Sequence, residues 1–366
     1  MNKKVLHIFG KMDRGGAELR TLATLQPLSN KGVNIEFCSL SGKQGLLDEE
    51  IKALGSEVHL CQLGVFFPIK FYRLLRQHKF DVVHSHVAMV SGFILFLAWL
   101  AGVKQRIAHF RNTHDAAKTS FVRKWRNRFL HELINLFATD ILGVCNAALS
   151  IFWRPDWQQD PRCQTIYNGL NHQTLLAKKP TFWQENNITN HYPVMLNVAR
   201  MVEQKNHRFM IPVLAKYIEQ YGPINLALLG KKDEKIQQEI IALAQEHHCL
   251  DYVVFLDVQP NVYDFLTHAD VMLFPSLWEG LPGAVIEAAS VGLPVVANDL
   301  PGVIEIAQQL PCVQHLSVEQ PIKLWVETVN NAITTNLNER EKHHTTFKNS
   351  SFNLNQCVEA LYAIYQ

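Results

Sequence analysis

Short apolar runs alternate with longer stretches of helical periodicity along the whole chain. In the first half the runs span residues 5–9, 35–40, 58–60, 82–85, 106–110 and 141–144. In the second half they span 194–199, 225–229, 252–256, 271–274 and 294–297. Runs of this length without polar alternation read as strands buried on both faces of a parallel sheet. Amphipathic segments such as 17–28 and 236–246 lie between them. Repeated strand–helix alternation implies right-handed crossovers and an α/β fold. At 366 residues the chain exceeds one ordinary core, so two domains are expected, 1–175 and 176–350. The polar stretch 171–190 reads as their connection, and a last helix covers 355–365.

One segment breaks the pattern in an informative way. The strand at 271–274 runs into Pro275-Ser276-Leu277-Trp278-Glu279-Gly280-Leu281-Pro282-Gly283, and a short helix follows over 283–291. Gly292 stands at its stop position and Pro294 just beyond. Glu279 thus sits in the loop at a strand's C-terminal end, and Glu287 sits a turn into the helix. In open α/β sheets that rim is where ligands bind. At about 1.5 Å per helical residue the carboxylates lie on the order of 12 Å apart, too far to share a proton. They suit two hydroxyl-bearing parts of one long ligand. Glu279 as a capping carboxylate and Glu287 as a surface residue are the plainer readings. Ile286, Ala288 and Ala289 point to a buried helix, however, in which an unpaired Glu is costly.

Arg200 and Lys205 follow the strand at 194–199, on a loop that precedes a helix. Two cations there can neutralise a diphosphate; two solvated loop charges are the alternative. Gly15 and Gly16 follow the first strand and precede a helix, where backbone N–H groups can approach a phosphate. The spacing is neither a dinucleotide fingerprint nor a P-loop.

These pieces, in this order, resemble family 4 of the glycosyltransferases. The resemblance rests on Gly15-Gly16-Ala17-Glu18, on Ile166-Tyr167-Asn168-Gly169-Leu170-Asn171, on the run from Asn197 to Asn206 and on the Glu279-x7-Glu287 pair. It implies two Rossmann-like parallel-sheet domains facing across a cleft (the GT-B architecture), with the tail 351–366 crossing back onto the N-terminal domain. It also implies transfer of a hexosyl or N-acetylhexosaminyl group, with retention, from a nucleoside-diphosphate sugar to a glycan or lipid-linked glycan in surface-polysaccharide biosynthesis. UDP is the preferred nucleotide over GDP. Glu287 would accept hydrogen bonds from the ribose. Glu279, with the backbone of Gly280, Leu281, Pro282 and Gly283 around it, would hold the transferred sugar. Arg200, Lys205 and the Gly15-Gly16 turn would hold the departing diphosphate. The family's histidine near donor and acceptor stays open among His109, Arg111 and His114.

Composition narrows the picture further. Residues 1–175 hold 22 Lys/Arg against 13 Asp/Glu, and 176–366 hold 13 against 20. A basic half suggests an anionic acceptor such as a lipid-diphosphate glycan; no nucleic-acid motif accompanies it. Residues 120–134 place Phe121, Trp125 and Phe129 on one helix face among Arg123, Lys124, Arg126 and Arg128. That face is either an interfacial surface on the anionic inner membrane or a core-facing stripe. The longest apolar run, 93–101, is too short to span a bilayer. The seven cysteines include no Cys-x-x-Cys pair, and no signal-like segment opens the chain, so a cytoplasmic, peripheral protein is expected. No Asp-x-Asp occurs and the histidines at 84, 86, 109 and 114 lack a zinc-site spacing, so no cofactor or metal is expected to be required. Two rivals remain, a nucleotide-sugar epimerase or hydrolase on the same architecture and a non-catalytic partner subunit.

Overall fold

The computed structural model describes residues 3–113, 120–171, 178–335 and 337–366. Two compact units divide the chain: Met1–Leu170 with Leu354–Gln366, and Asn171–Asn353. Each is built on a parallel sheet flanked by helices. The first unit carries β1 (Lys3–Phe9), β2 (Val33–Ser39), β3 (Val58–Leu60), β4 (Val82–Ser85), β5 (Gln105–Phe110), β6 (Asp140–Gly143) and β7 (Cys163–Thr165), in the order β3-β2-β1-β4-β5-β6-β7. The second carries β8 (Val194–Val198), β9 (Asn225–Leu229), β10 (Val253–Leu256), β11 (Val271–Phe274), β12 (Val295–Asn298) and β13 (Val313–Leu316), in the order β10-β9-β8-β11-β12-β13.

The α/β reading with two parallel-sheet domains therefore holds. Two strands are additions to it. Both lie at sheet edges, where one flank is unpaired and little needs burying. Gln164 in β7 and Gln314 and His315 in β13 are exposed, so neither strand shows an apolar run. The central strands show the opposite: every residue of β9 and β11 is buried.

In both sheets the strand order reverses direction once, between β1 and β4 and between β8 and β11. At such a point the crossovers leave to opposite sides and open a crevice at the C-terminal ends of the two strands.

Each unit has its own core. In the second, Trp325 is fully buried, meets Phe209 edge-on at 5.0 Å and donates its indole N–H to the Ser317 carbonyl at 3.0 Å. In the first, Val5, Ile35 and Phe37 pack with Leu354, Cys357, Val358, Leu361 and Tyr365 of the last helix, Leu354–Tyr365. Their spacing is that of one helix face, and burying a large apolar side chain contributes about 1.5–3 kcal/mol.

In the helix Phe121–Phe137 the aromatic stripe is not packed in the core. Leu130 and Ile134 face inward, whereas Phe121, Trp125 and Phe129 are 76%, 62% and 62% exposed. The stripe at 121, 125 and 129 is rotated away from the buried face, so it is not core. Among the described residues no helix is long and apolar enough to cross a membrane, and all seven cysteines are free thiols.

Candidate active site

The second unit gathers four of the expected residues on two strand ends. Beyond Val198, at the end of β8, the chain turns at Arg200 and forms a short 3-10 turn, Glu203–Lys205. It then enters the helix His207–Tyr221 through Asn206, whose backbone is left-handed at φ 52°. Beyond Phe274, at the end of β11, it makes the loop 275–282 and enters the helix Gly283–Ser290.

The loop after β11 leaves carbonyls that no strand pairs with, and buried carbonyls need donors. Three asparagine amides supply them. Asn197 donates to the Leu273 carbonyl at 2.8 Å, Asn206 to Pro275 at 3.2 Å and Asn298 to Ser276 at 2.8 Å. Gln204 adds a bond to the Trp278 carbonyl at 2.6 Å, and its own carbonyl accepts from the Leu277 N–H at 2.8 Å. Gly302, at the start of the helix Pro301–Ala307, lies so close to the Gly280 carbonyl that an added methyl group would overlap it. The loop bearing Glu279 is thus held from three sides. Sequence reasoning missed this scaffold. Its one legible signal was Asn197, a polar residue inside an apolar strand.

On that scaffold Lys205 Nζ forms an ion pair with Glu279 Oε1, with side-chain exposures of 16% and 12%. The ammonium also lies 5.2 Å from the centre of the Phe274 ring. A short, largely desolvated pair of this kind orients both groups more firmly than a surface pair would. Arg200 is exposed and has no side-chain partner among the described residues. Glu287 is half-buried between the buried residues Ile286 and Ala288, and its carbonyl accepts from the Ser290 hydroxyl at 2.7 Å. Leu281 and Pro282 are buried, Gly280 and Gly283 half-buried. Gly292 takes φ +69° after the helix, where any side chain would strike the Arg340 carbonyl. Asn197 Oδ1, Ser276 Oγ and His207 Nδ1 are buried without a hydrogen-bond partner among the described residues. Burial, then Lys205 and Arg208, pull the His207 pKa down to about 4. That imidazole is neutral beside the two cations.

The first unit places its expected residues differently. Gly15 caps the helix Gly16–Ser29, but the Glu18 carboxylate folds back against Gly15. The anion at this helix start is the chain's own. His109 is 2% exposed, inside the unit rather than on its rim. Its Nδ1 shares a hydrogen bond with His84 Nε2 at 3.0 Å, and His84 Nδ1 shares one with Tyr365 Oη at 2.7 Å. Tyr365 Oη meets His7 Nε2 at 3.2 Å, and His7 Nδ1 meets His86 Nε2 at 2.9 Å. Burial lowers the pKa of all four histidines, and the charge of Arg111 adds to it. Arg111 donates to the Asn168 side chain at 2.8 Å, beside a cavity of about 20 Å³ that His86 and His109 also line. That is room for about one water. His114 lies outside the described residues.

Comparison with known proteins gives the family. Residues 14–174 match the family model for Glycosyltransferase Family 4, and residues 178–350 match Glycosyl transferases group 1. The chain is 32% identical over 370 residues to CapH of Staphylococcus aureus, a capsular polysaccharide biosynthesis glycosyltransferase, covering 99% of this chain and 98% of CapH. It is 29% identical over 378 residues to the putative glycosyltransferase EpsF of Bacillus subtilis (strain 168), covering 99% and 96%. The crystal structure of Anabaena HepE in complex with UDP and glucose superposes with a TM-score of 0.76 at 17% identity, over 98% of each chain; this is a likeness of fold, GT-B. The chain belongs to the family 4 glycosyltransferases, and it is a glycosyltransferase.

Because the folded chain binds a proton at His207 only near pH 4 and the unfolded chain does so near 6.5, this residue stabilises fully above about pH 6.5. Its contribution falls as the pH drops from about 6.5 to about 4. Urea unfolding at pH 7 and pH 5 should show a smaller loss of stability in His207→Gln than in the parent; equal losses would contradict the assignment.

Proposed function

We propose that the chain moves a hexosyl or N-acetylhexosaminyl group from a nucleoside-diphosphate sugar, UDP being the first choice, to a glycan or lipid-diphosphate glycan during assembly of bacterial surface polysaccharide. The observation that carries this reading is the Lys205–Glu279 pair, with the exposed Arg200 on the same loop as Lys205, at the point where the second sheet reverses order. The name of CapH supports the pathway, and the UDP and glucose in HepE support the donor class.

In this reading Arg200 and Lys205 neutralise the diphosphate as the glycosidic bond breaks. Cations placed in advance stabilise that charge without reorganising; loss of one such electrostatic contact commonly costs about 10²–10³ in rate. Glu279, already oriented by Lys205, accepts hydrogen bonds from hydroxyls of the sugar, and Glu287 accepts from the ribose. The acceptor hydroxyl attacks from the face the diphosphate leaves, and the diphosphate takes its proton. Configuration is then retained without a protein nucleophile.

For the acceptor we assign the groove of about 590 Å³ in the first unit lined by Asn112, Arg123, Arg126, Arg128, His131 and Trp153. Three guanidinium groups there suit a diphosphate. The neighbouring face of Phe121, Trp125 and Phe129 would rest on the anionic inner leaflet, making the protein cytoplasmic and peripheral.

A nucleotide screen by thermal shift should show stabilisation by one nucleoside diphosphate, UDP first. Arg200→Ala should abolish that shift, and Glu279→Gln should lower turnover by about 10²-fold or more while leaving nucleotide binding nearly intact. Unchanged turnover in Glu279→Gln, or turnover of donor without acceptor, would overturn the reading. Cosedimentation with vesicles of anionic lipid should be lost in the double variant Trp125→Ser/Phe129→Ser and weaken in high salt; equal binding by the variant would refute the membrane face.

A further inference from the structure

Away from the transfer site, the outer edge of the first sheet assembles a second constellation. Phe37 pairs with Val58 and Cys38 with His59 in the β2–β3 register. The pleat therefore puts Glu36, Glu57 and His59 on one face of the sheet. The helix Phe67–His78 ends at the same place, and its last residue, His78, points back to the same carboxylate. His59 Nε2 lies 2.7 Å from Glu36 Oε2 and 3.9 Å from Glu57 Oε2, while His78 Nδ1 lies 3.7 Å from Glu36 Oε2. One donor atom from each of the four residues falls within 4.8 Å of the others.

We propose that Glu36, Glu57, His59 and His78 form a binding site for zinc, or a divalent cation of similar size, that clamps β2, β3 and the end of the helix Phe67–His78 together. Imidazole nitrogens and carboxylate oxygens are both zinc donors, with bonds of about 2.0–2.2 Å, and four of them match the tetrahedral coordination number. Donors around such an ion stand on the order of 3.3 Å apart, close to the 2.7, 3.7 and 3.9 Å separations seen here.

The surroundings favour this occupant. Lys4 Nζ holds Glu36 Oε1 at 2.7 Å, which leaves Oε2 facing the two histidines and fixes the carboxylate from behind. The His78 ring stacks on Phe80 with an interplanar angle of 6°, and the two imidazoles meet edge to face at 4.6 Å. The side chain of Glu57 is 69% exposed, which gives the ion a path from solvent. A clamp has a mechanical use here, because β3 is a three-residue edge strand paired on one side only.

The test uses the full chain, stripped with a chelator and titrated with zinc alone. One zinc per chain should bind and raise the melting temperature. Cobalt should give the visible absorption of a tetrahedral site. His59→Ala and His78→Ala should each weaken zinc binding by at least about tenfold and abolish the cobalt bands. His86→Ala, in the buried histidine chain, should change neither. Absence of saturable binding at micromolar zinc, or binding unaffected by both clamp variants or lost in His86→Ala, would overturn the proposal.

Discussion

The site rests on a problem of backbone chemistry. A parallel sheet satisfies its main-chain groups along the strands and stops doing so where the strands end. Where the strand order reverses, the ends of β8 and β11 lie side by side with no crossover helix to cover them. Their carbonyls must find donors or be left unpaired at a cost of about 1–3 kcal/mol each. Asn197, Asn206 and Asn298 provide those donors. In doing so they fix the loop on which Glu279 meets Lys205.

The two units place their polar groups differently. The second keeps ionised groups at its strand ends, with one pair desolvated and one arginine open to ligand. In the first, His7, His84, His109 and Tyr365 are buried beside the Arg111 guanidinium. Four imidazoles and a phenol form a hydrogen-bonded row, His109–His84–Tyr365–His7–His86, with Tyr365 of the last helix at its centre. A neutral imidazole has one donor and one acceptor, so the links along the row need no charge, while His86 Nδ1 and His109 Nε2 at its two ends have no partner among the described residues. His109, one of the candidates for the family's histidine, is an end of this row and lines the small cavity beside Arg111.

Much of this was legible beforehand, for identifiable reasons. Central strands are buried on both faces, so β8, β9, β11 and β12 announce themselves as apolar runs. The Gly/Pro-rich turn after β11 marks a loop that enters a helix. Edge strands β7 and β13 bury too little to leave such a mark. The mutual pairing of Lys205 and Glu279 was hidden because 74 positions separate them. The aromatic face of the helix Phe121–Phe137 was ambiguous for a different reason: periodicity shows that a face exists, and only packing shows what covers it. His59 and His78 come together with Glu36 through sheet register and helix length, which no local motif encodes.

The most direct measurement is a crystal structure of the chain with its nucleoside diphosphate bound. The account predicts the Arg200 guanidinium and the Lys205 ammonium within hydrogen-bonding distance of the diphosphate oxygens, and the Glu287 carboxylate on the ribose hydroxyls. A nucleotide seated with both cations turned away from its phosphates would contradict it.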